Sequence, residues 1–289
     1  MSNVTESAAD ASSKAAVDEP LTIIDADITV RGVIWHEMWQ CRELVMALVK
    51  RDVGVRYKQT VLGAAWAIIQ PVVAMVIFSI IFGRLAQIPS DGHPYPIFVY
   101  AALLPWTLFA SAVSACGQSL VGAADLVGKV YFPRIVLPLV SLGSPFIDFL
   151  VASTVLLLLM LFYASMPGIG VLMAIPLLIA VLLLALGIGL ILAALTLRYR
   201  DFRFVIPFMV QIWMFITPVV YSQDLVPSQW QWLLLLNPMS GLISGLRTAF
   251  LGGAQDWIGI SVSFLTTAIV LKLGVHYFRT AESRFADVI

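Results

Sequence analysis

Residues 149–190 read FLVASTVLLLLMLFYASMPGIGVLMAIPLLIAVLLLALGIGL, a run without one charged side chain. A helix needs roughly 20 apolar residues to cross the hydrocarbon core of a bilayer, so the run is too long for one crossing and suits two. The break falls at Met166-Pro167-Gly168-Ile169-Gly170, where proline and glycine together favour a turn. Outward from there the chain stays almost wholly apolar from Arg134 to Leu197, with Asp148 the one acidic residue deep in the run. Two spans are predicted, at about 135–165 and 171–197. The whole chain repeats the message: of 289 residues 60% are hydrophobic and 12% charged, and the mean hydropathy is +0.95. A soluble core of this size does not need that excess.

Other charge-free runs supply four more spans, at about 61–83, 97–118, 204–223 and 257–278. Leu225 to Leu246 is uncharged too, but Pro227, Asn237-Pro238, Gly241 and Gly245 argue against one straight crossing. The segment 225–250 reads instead as a pair of short re-entrant helices, with a kinked seventh span as the alternative. Of the 17 lysines and arginines, all but Arg84 and Arg247 fall on one side of a six-span chain. The positive-inside rule makes that side cytoplasmic, with both termini on it. The expected fold is therefore an all-α polytopic membrane protein with six transmembrane helices.

Residues 1–32 are polar and acidic and have no apolar core of a signal peptide, so a disordered cytoplasmic tail is expected. Residues 33–58 are expected to form an amphipathic interface helix and a basic lead into the first span. Trp35, Met38, Cys41, Val45 and Leu48 make its apolar stripe, which suits either the membrane surface or the protein's own cytoplasmic face. Net charge is zero, which leaves no electrostatic footprint for nucleic acid. Cys41 and Cys116 suggest neither a disulfide framework nor a metal set.

Catalytic motifs are poor. The loop 119–134 contains GAADLVGKV, but Gly122 and Gly128 are one residue too far apart for a phosphate loop. Val130 also stands where a hydroxyl should meet magnesium. His36, His93 and His276 are scattered, so no catalytic residue and no metal site is expected. Asp148 reads equally as a functional or a structural carboxylate.

Aromatic placement is more informative. Phe78 and Phe82 share a helical face with Pro71 and Met75, Trp106 and Phe109 are three apart, and Phe208 and Phe215 flank Gln211, with Tyr221 beyond. Gln70 and Gln118 add further amides. Aromatic rings stack on the C–H faces of sugars, and amides bond hydroxyls without holding them as tightly as charges would. Phe78, Phe82, Trp106, Phe109, Phe208, Gln211, Phe215 and Tyr221 are accordingly the expected lining of a substrate channel. Lipid-facing aromatics and plain helix packing explain any single one of them more simply.

Several blocks carry a family resemblance: RDVGVRYKQTVLGAAWAIIQP (51–71), PYPIFVYAALLPWTLF (94–109), VYFPR (130–134), RYRDFRFVIPF (198–208), and ITPVVY with LLLLNPMSGLISGLR within 216–247. Together they resemble the type-2 ABC exporter permeases of cell-surface polysaccharide, which serve O-antigen, capsule and teichoic acid. The O-antigen (Wzm-like) branch is the most similar. The resemblance implies a homodimer in the bacterial inner membrane, joined to two copies of a separate cytoplasmic ABC ATPase. No cofactor is expected on this chain, because ATP and magnesium would be bound by that ATPase. The implied cargo is an undecaprenyl-diphosphate-linked polysaccharide. Arg51, Arg56 and Lys58 at the cytoplasmic mouth would attract its diphosphate, although positive-inside anchoring explains the same charges. Lys129, Tyr131, Phe132 and Arg134 would couple to the ATPase. The alternatives are an exporter of drugs or other small molecules on the same fold, and a proton-coupled carrier using Asp148.

Overall fold

The structure, a computed structural model, describes residues 42–58, 65–123, 132–165 and 169–282. The expected tail, residues 33–41 of the interface helix, Lys129, Tyr131 and hinge positions 166–168 lie outside the described residues, as do the side chains of Lys58 and Ile169. Among the described residues all regular structure is helical: α1 (Arg42–Lys58), α2 (Ala65–Phe78), α3 (Tyr95–Gly122), α4 (Val136–Ser141), α5 (Gly143–Phe162), α6 (Ala174–Arg198), α7 (Phe202–Ile216), α8 (Gln231–Leu236), α9 (Pro238–Leu251) and α10 (Trp257–Glu282).

Five of the described segments are long and apolar enough to cross a membrane. They are α2 with its π-helical extension (Ala65–Leu85), α3, the α4–α5 unit (Val136–Phe162), α6 with its lead-in turn (Gly170–Arg198), and α10. The stretch expected as a fifth span is helical only over α7, whose 15 residues reach about 22 Å at 1.5 Å each. The reason is Pro218. A residue before proline is pushed out of the α region, and Thr217 is extended at φ −91° and ψ 139°. The segment 225–250 holds two short helices, α8 and α9, broken at Asn237-Pro238. α9 stops at Gly252, whose φ of +88° suits glycine and few other residues.

α3 sits at the centre. Its first half is almost wholly apolar, and from Ile97 to Trp106 every residue is buried. α6 packs along it, and α2, α4, α5, α7 and α9 surround the rest, with α10 on the far side of α6. A second cluster forms at the end of the bundle where α1 lies. Leu48 of α1, Phe132, Val136 of α4, Leu190 of α6 and Phe278 of α10 meet there. α1 thus packs on the protein itself, through Val45 and Leu48 of the expected stripe, while Met46 faces away at 63% exposure.

Polar side chains order the opposite end. Asn237 caps α9, accepting from the Met239 amide at 3.1 Å and from the Trp213 indole of α7 at 2.9 Å. Its own amide donates to the Thr217 hydroxyl at 2.9 Å. Arg247, one of the two cations expected on the outer side, is buried. It donates to the carbonyls of Pro218 (2.7 Å), Val219 (2.9 Å) and Tyr221 (3.3 Å), and lies over the Phe98 ring at 4.0 Å. The Tyr95 hydroxyl donates to the Val220 carbonyl at 2.6 Å. These donors satisfy carbonyls of the loop that follows α7.

Asn237→Ala should therefore orphan three partners at once and cost roughly 1 to 3 kcal/mol. The expected result is a clearly lower unfolding midpoint for the purified protein in detergent. A midpoint equal to the parent's would show that the cap does not hold α7 to α9.

Candidate functional site

Helical spacing brings small and polar side chains to one line where α2, α3, α5 and α7 diverge. Gln70, Ala74 and Phe78 recur every four residues on α2, and Thr107, Ser111 and Ser114 at steps of four and three on α3. Asp148 and Ala152 do the same on α5, and Pro207, Gln211 and Met214 on α7. Between them lies a groove of about 480 Å³, with Trp66, Trp106 and Phe149 on its walls. Small residues such as Ala74, Ala110 and Ala152 leave the space open, because the larger side chains of the same helices point into the core.

Among the described residues the groove carries charge at one position. Arg56, in the last turn of α1, lines it and pairs with Asp148 at 2.5 Å between Nη2 and Oδ2. The neighbouring Tyr57 donates its hydroxyl to the other carboxylate oxygen, Oδ1, at 2.5 Å. Burial, and then the hydrogen bond to Asp148, pushes the Tyr57 hydroxyl up to about 12, so it stays protonated and keeps donating at physiological pH. The Asp148 side chain is 17% exposed and that of Arg56 51%. The carboxylate is thus held inside while its partner reaches the opening. The remaining polar groups are hydroxyls and amides. This surface can bond a hydroxyl-rich chain weakly and repeatedly while its aromatic walls cover apolar faces.

The expected channel residues divide into three groups. Phe78, Trp106 and Gln211 line the groove. Phe82 lies one turn beyond Phe78, its ring 5.8 Å away. Phe109 is fully buried, edge-on to Trp213 at 5.2 Å, and supports Trp106 from behind. Phe208 and Phe215 point away from the bundle, 62% and 54% exposed, and Tyr221 is half-buried in the loop after α7, its hydroxyl donating to the Ile216 carbonyl at 3.3 Å.

The expected basic mouth separates as well. Arg51 is exposed and bonds its neighbour Asp52 at 2.9 Å, whereas Arg56 alone of the described side chains in that set borders the groove. Of the coupling residues, Phe132 is buried in the cluster beneath α1, so its ring is a packing element of this chain. Arg134 binds the end of α10: its amide donates to the Glu282 carboxylate at 3.2 Å and its guanidinium to the Glu282 carbonyl at 3.3 Å. Sequence reasoning passed over Thr107, Ser111 and Ser114, although their helical spacing was a usable signal. It also noted Asp148 without its partners, which are some ninety positions earlier in the chain.

Comparison with known proteins agrees with this architecture. The family model described as ABC-2 type transporter matches residues 43–251. An O-antigen export system permease protein RfbA from Klebsiella pneumoniae is 28% identical over 86% of this chain and 95% of its own. A protein of the same name from Myxococcus xanthus is 28% identical over 88% of this chain and 98% of its own. The polysialic acid transport protein KpsM of Escherichia coli is 26% identical over 82% and 93%. A match over most of the chain, on an all-helical bundle with five described membrane-length segments, places this protein in the ABC-2 type transporter family.

Proposed function

We propose that this chain is the permease subunit of an ABC transporter that exports a lipid-linked cell-surface polysaccharide across the bacterial inner membrane. The observation that carries the reading is the groove between α2, α3, α5 and α7: aromatic walls, hydroxyl and amide groups and, among the described residues, charge at a single paired position. A glycan must be held at many points and released from each. Neutral hydrogen bonds and ring faces suit that, whereas fixed charges would trap it or leave a polar backbone unmatched. The names of the relatives, which align over nearly their whole lengths, support the same cargo class.

The active unit in this reading is a homodimer with two cytoplasmic ATPase subunits, which bind the ATP and magnesium. Two exposed apolar faces give the second copy somewhere to pack: Trp66, Val73 and Ile77 on α2, and Phe204, Phe208 and Phe215 on α7. Pairing there would turn two side grooves into one enclosed path. The loop that contains Lys129 and Arg134 would receive the ATPase, and α1 and α4 beside it would pass the movement to the groove through Leu48 and Asp148. Arg56 would meet the diphosphate of the lipid carrier at the groove's mouth.

Deleting the gene should leave lipid-linked glycan inside the cell and strip the surface of the polymer, which immunoblotting of surface glycan reads directly. Normal surface glycan in the deletion strain would overturn the reading. A more local test fills the groove. Ser111→Trp should reduce surface glycan by about tenfold or more while the protein stays in the membrane at parental levels, because the bulk falls in open space on α3. Full export by that variant would place the path elsewhere.

A further inference from the structure

The Arg56–Asp148–Tyr57 cluster holds a feature that simple attraction of phosphate does not need. A guanidinium placed to attract a phosphate gains nothing, for that purpose, from a carboxylate set against it. The bilayer around a membrane protein is crowded with phosphodiesters of single negative charge. A bare arginine at the mouth of an open groove would be occupied by them. Here Asp148 occupies it first, through Oδ2. The other oxygen, Oδ1, accepts from Tyr57, so the two contacts are separate. A ligand can replace the carboxylate on Arg56 while the Tyr57 bond remains, and the displaced Asp148 keeps a donor in its partly buried position.

We propose that Asp148 is an exchangeable counter-ion that makes Arg56 selective for a lipid-borne diphosphate over the singly charged phosphates of bulk lipid, with Tyr57 retaining the carboxylate once displaced. This rests on the reading of the chain as an exporter of lipid-linked glycan. The physical basis is a difference of affinities. A phosphodiester offers Arg56 the same single charge as the carboxylate that it must displace, so the exchange gains little. A diphosphate brings more charge and more acceptor oxygens to the forked guanidinium, and so outcompetes the carboxylate. Specificity here comes from the built-in competitor as much as from the attraction. The groove continues from this point along Ser114, Ser111 and Thr107, so a headgroup held at Arg56 would have its attached sugars beside neutral hydroxyls.

The test measures binding of farnesyl diphosphate, farnesyl monophosphate and inorganic pyrophosphate to the full chain in phosphatidylcholine nanodiscs, with and without phosphatidylglycerol. The parent protein should prefer farnesyl diphosphate over the monophosphate by about tenfold or more, and phosphatidylglycerol should not compete. In Asp148→Asn that preference should fall to within about threefold and phosphatidylglycerol should compete, whereas Asp148→Glu should restore discrimination. Arg56→Gln, which leaves the carboxylate without its ion-pair partner, should bind farnesyl diphosphate at least about tenfold more weakly than the parent. Undiminished discrimination in Asp148→Asn, or parental affinity in Arg56→Gln, overturns the counter-ion proposal while leaving the export reading in place. Inorganic pyrophosphate binding as tightly as farnesyl diphosphate overturns the lipid part of it. No binding of farnesyl diphosphate by the parent chain overturns both the proposal and the lipid-linked cargo on which it rests.

Discussion

Close backbone approach between α3 and α6 is the constraint on which the rest of this structure depends. Lipid tails are as apolar as leucine, so burying leucine against leucine in a bilayer offers little net driving force, and helices associate where small residues allow tight contact. A side chain added at Gly189 of α6 would collide with Cys116 of α3, and one at Gly274 of α10 would meet the backbone of Gly187. These contacts stack α3, α6 and α10 into a dense slab. α2, α5 and α7 lie on the other side of α3 and pack more loosely, with much of α2 and α7 exposed. The groove forms on that loose side. One side of α3 is fixed by close packing, and the other is left open as a groove.

Polar groups inside the bundle serve two different purposes, and their partners tell them apart. Arg247 bonds backbone carbonyls just beyond α7, and Asn237 ties the Trp213 and Thr217 side chains to the first amides of α9, away from water. They are joints, and a joint gains nothing from being able to open. Asp148 is bonded instead by two side chains on another helix, one of them half-exposed at the mouth of the groove. A contact of that kind can exchange partners without unravelling a helix. The same distinction explains why the cluster around Phe132 and Phe278 reads as a rigid foundation beneath α1.

Much of the architecture was legible because membrane insertion writes itself into composition. Charge-free runs coincide with five membrane-length segments, and 225–250, with its prolines and glycines, holds two short helices. The run through 204–223 misled because hydropathy does not register one proline: Pro218 ends the helix, and apolar residues continue past it as loop. The residues expected to line a channel were legible only by type. Phe78, Trp106, Phe109, Phe208 and Phe215 look alike in the sequence, yet they face the groove, the core or the outside according to the rotation of each helix, and an all-apolar helix carries no amphipathic signal to fix that rotation.

The sequence by itself determined that the chain is helical, that most of it belongs in a membrane, roughly where its spans lie and which family blocks it carries. Each of these follows from local composition and from short motifs. Only the tertiary structure decided that Arg56 and Asp148 meet, that Phe132 and Arg247 are buried, and that Thr107, Ser111 and Ser114 share a groove with Gln70 and Gln211. Those relations join residues from separate helices. They depend on how far each helix is turned and how closely its small residues let it approach its neighbours, and no window along one chain contains that information.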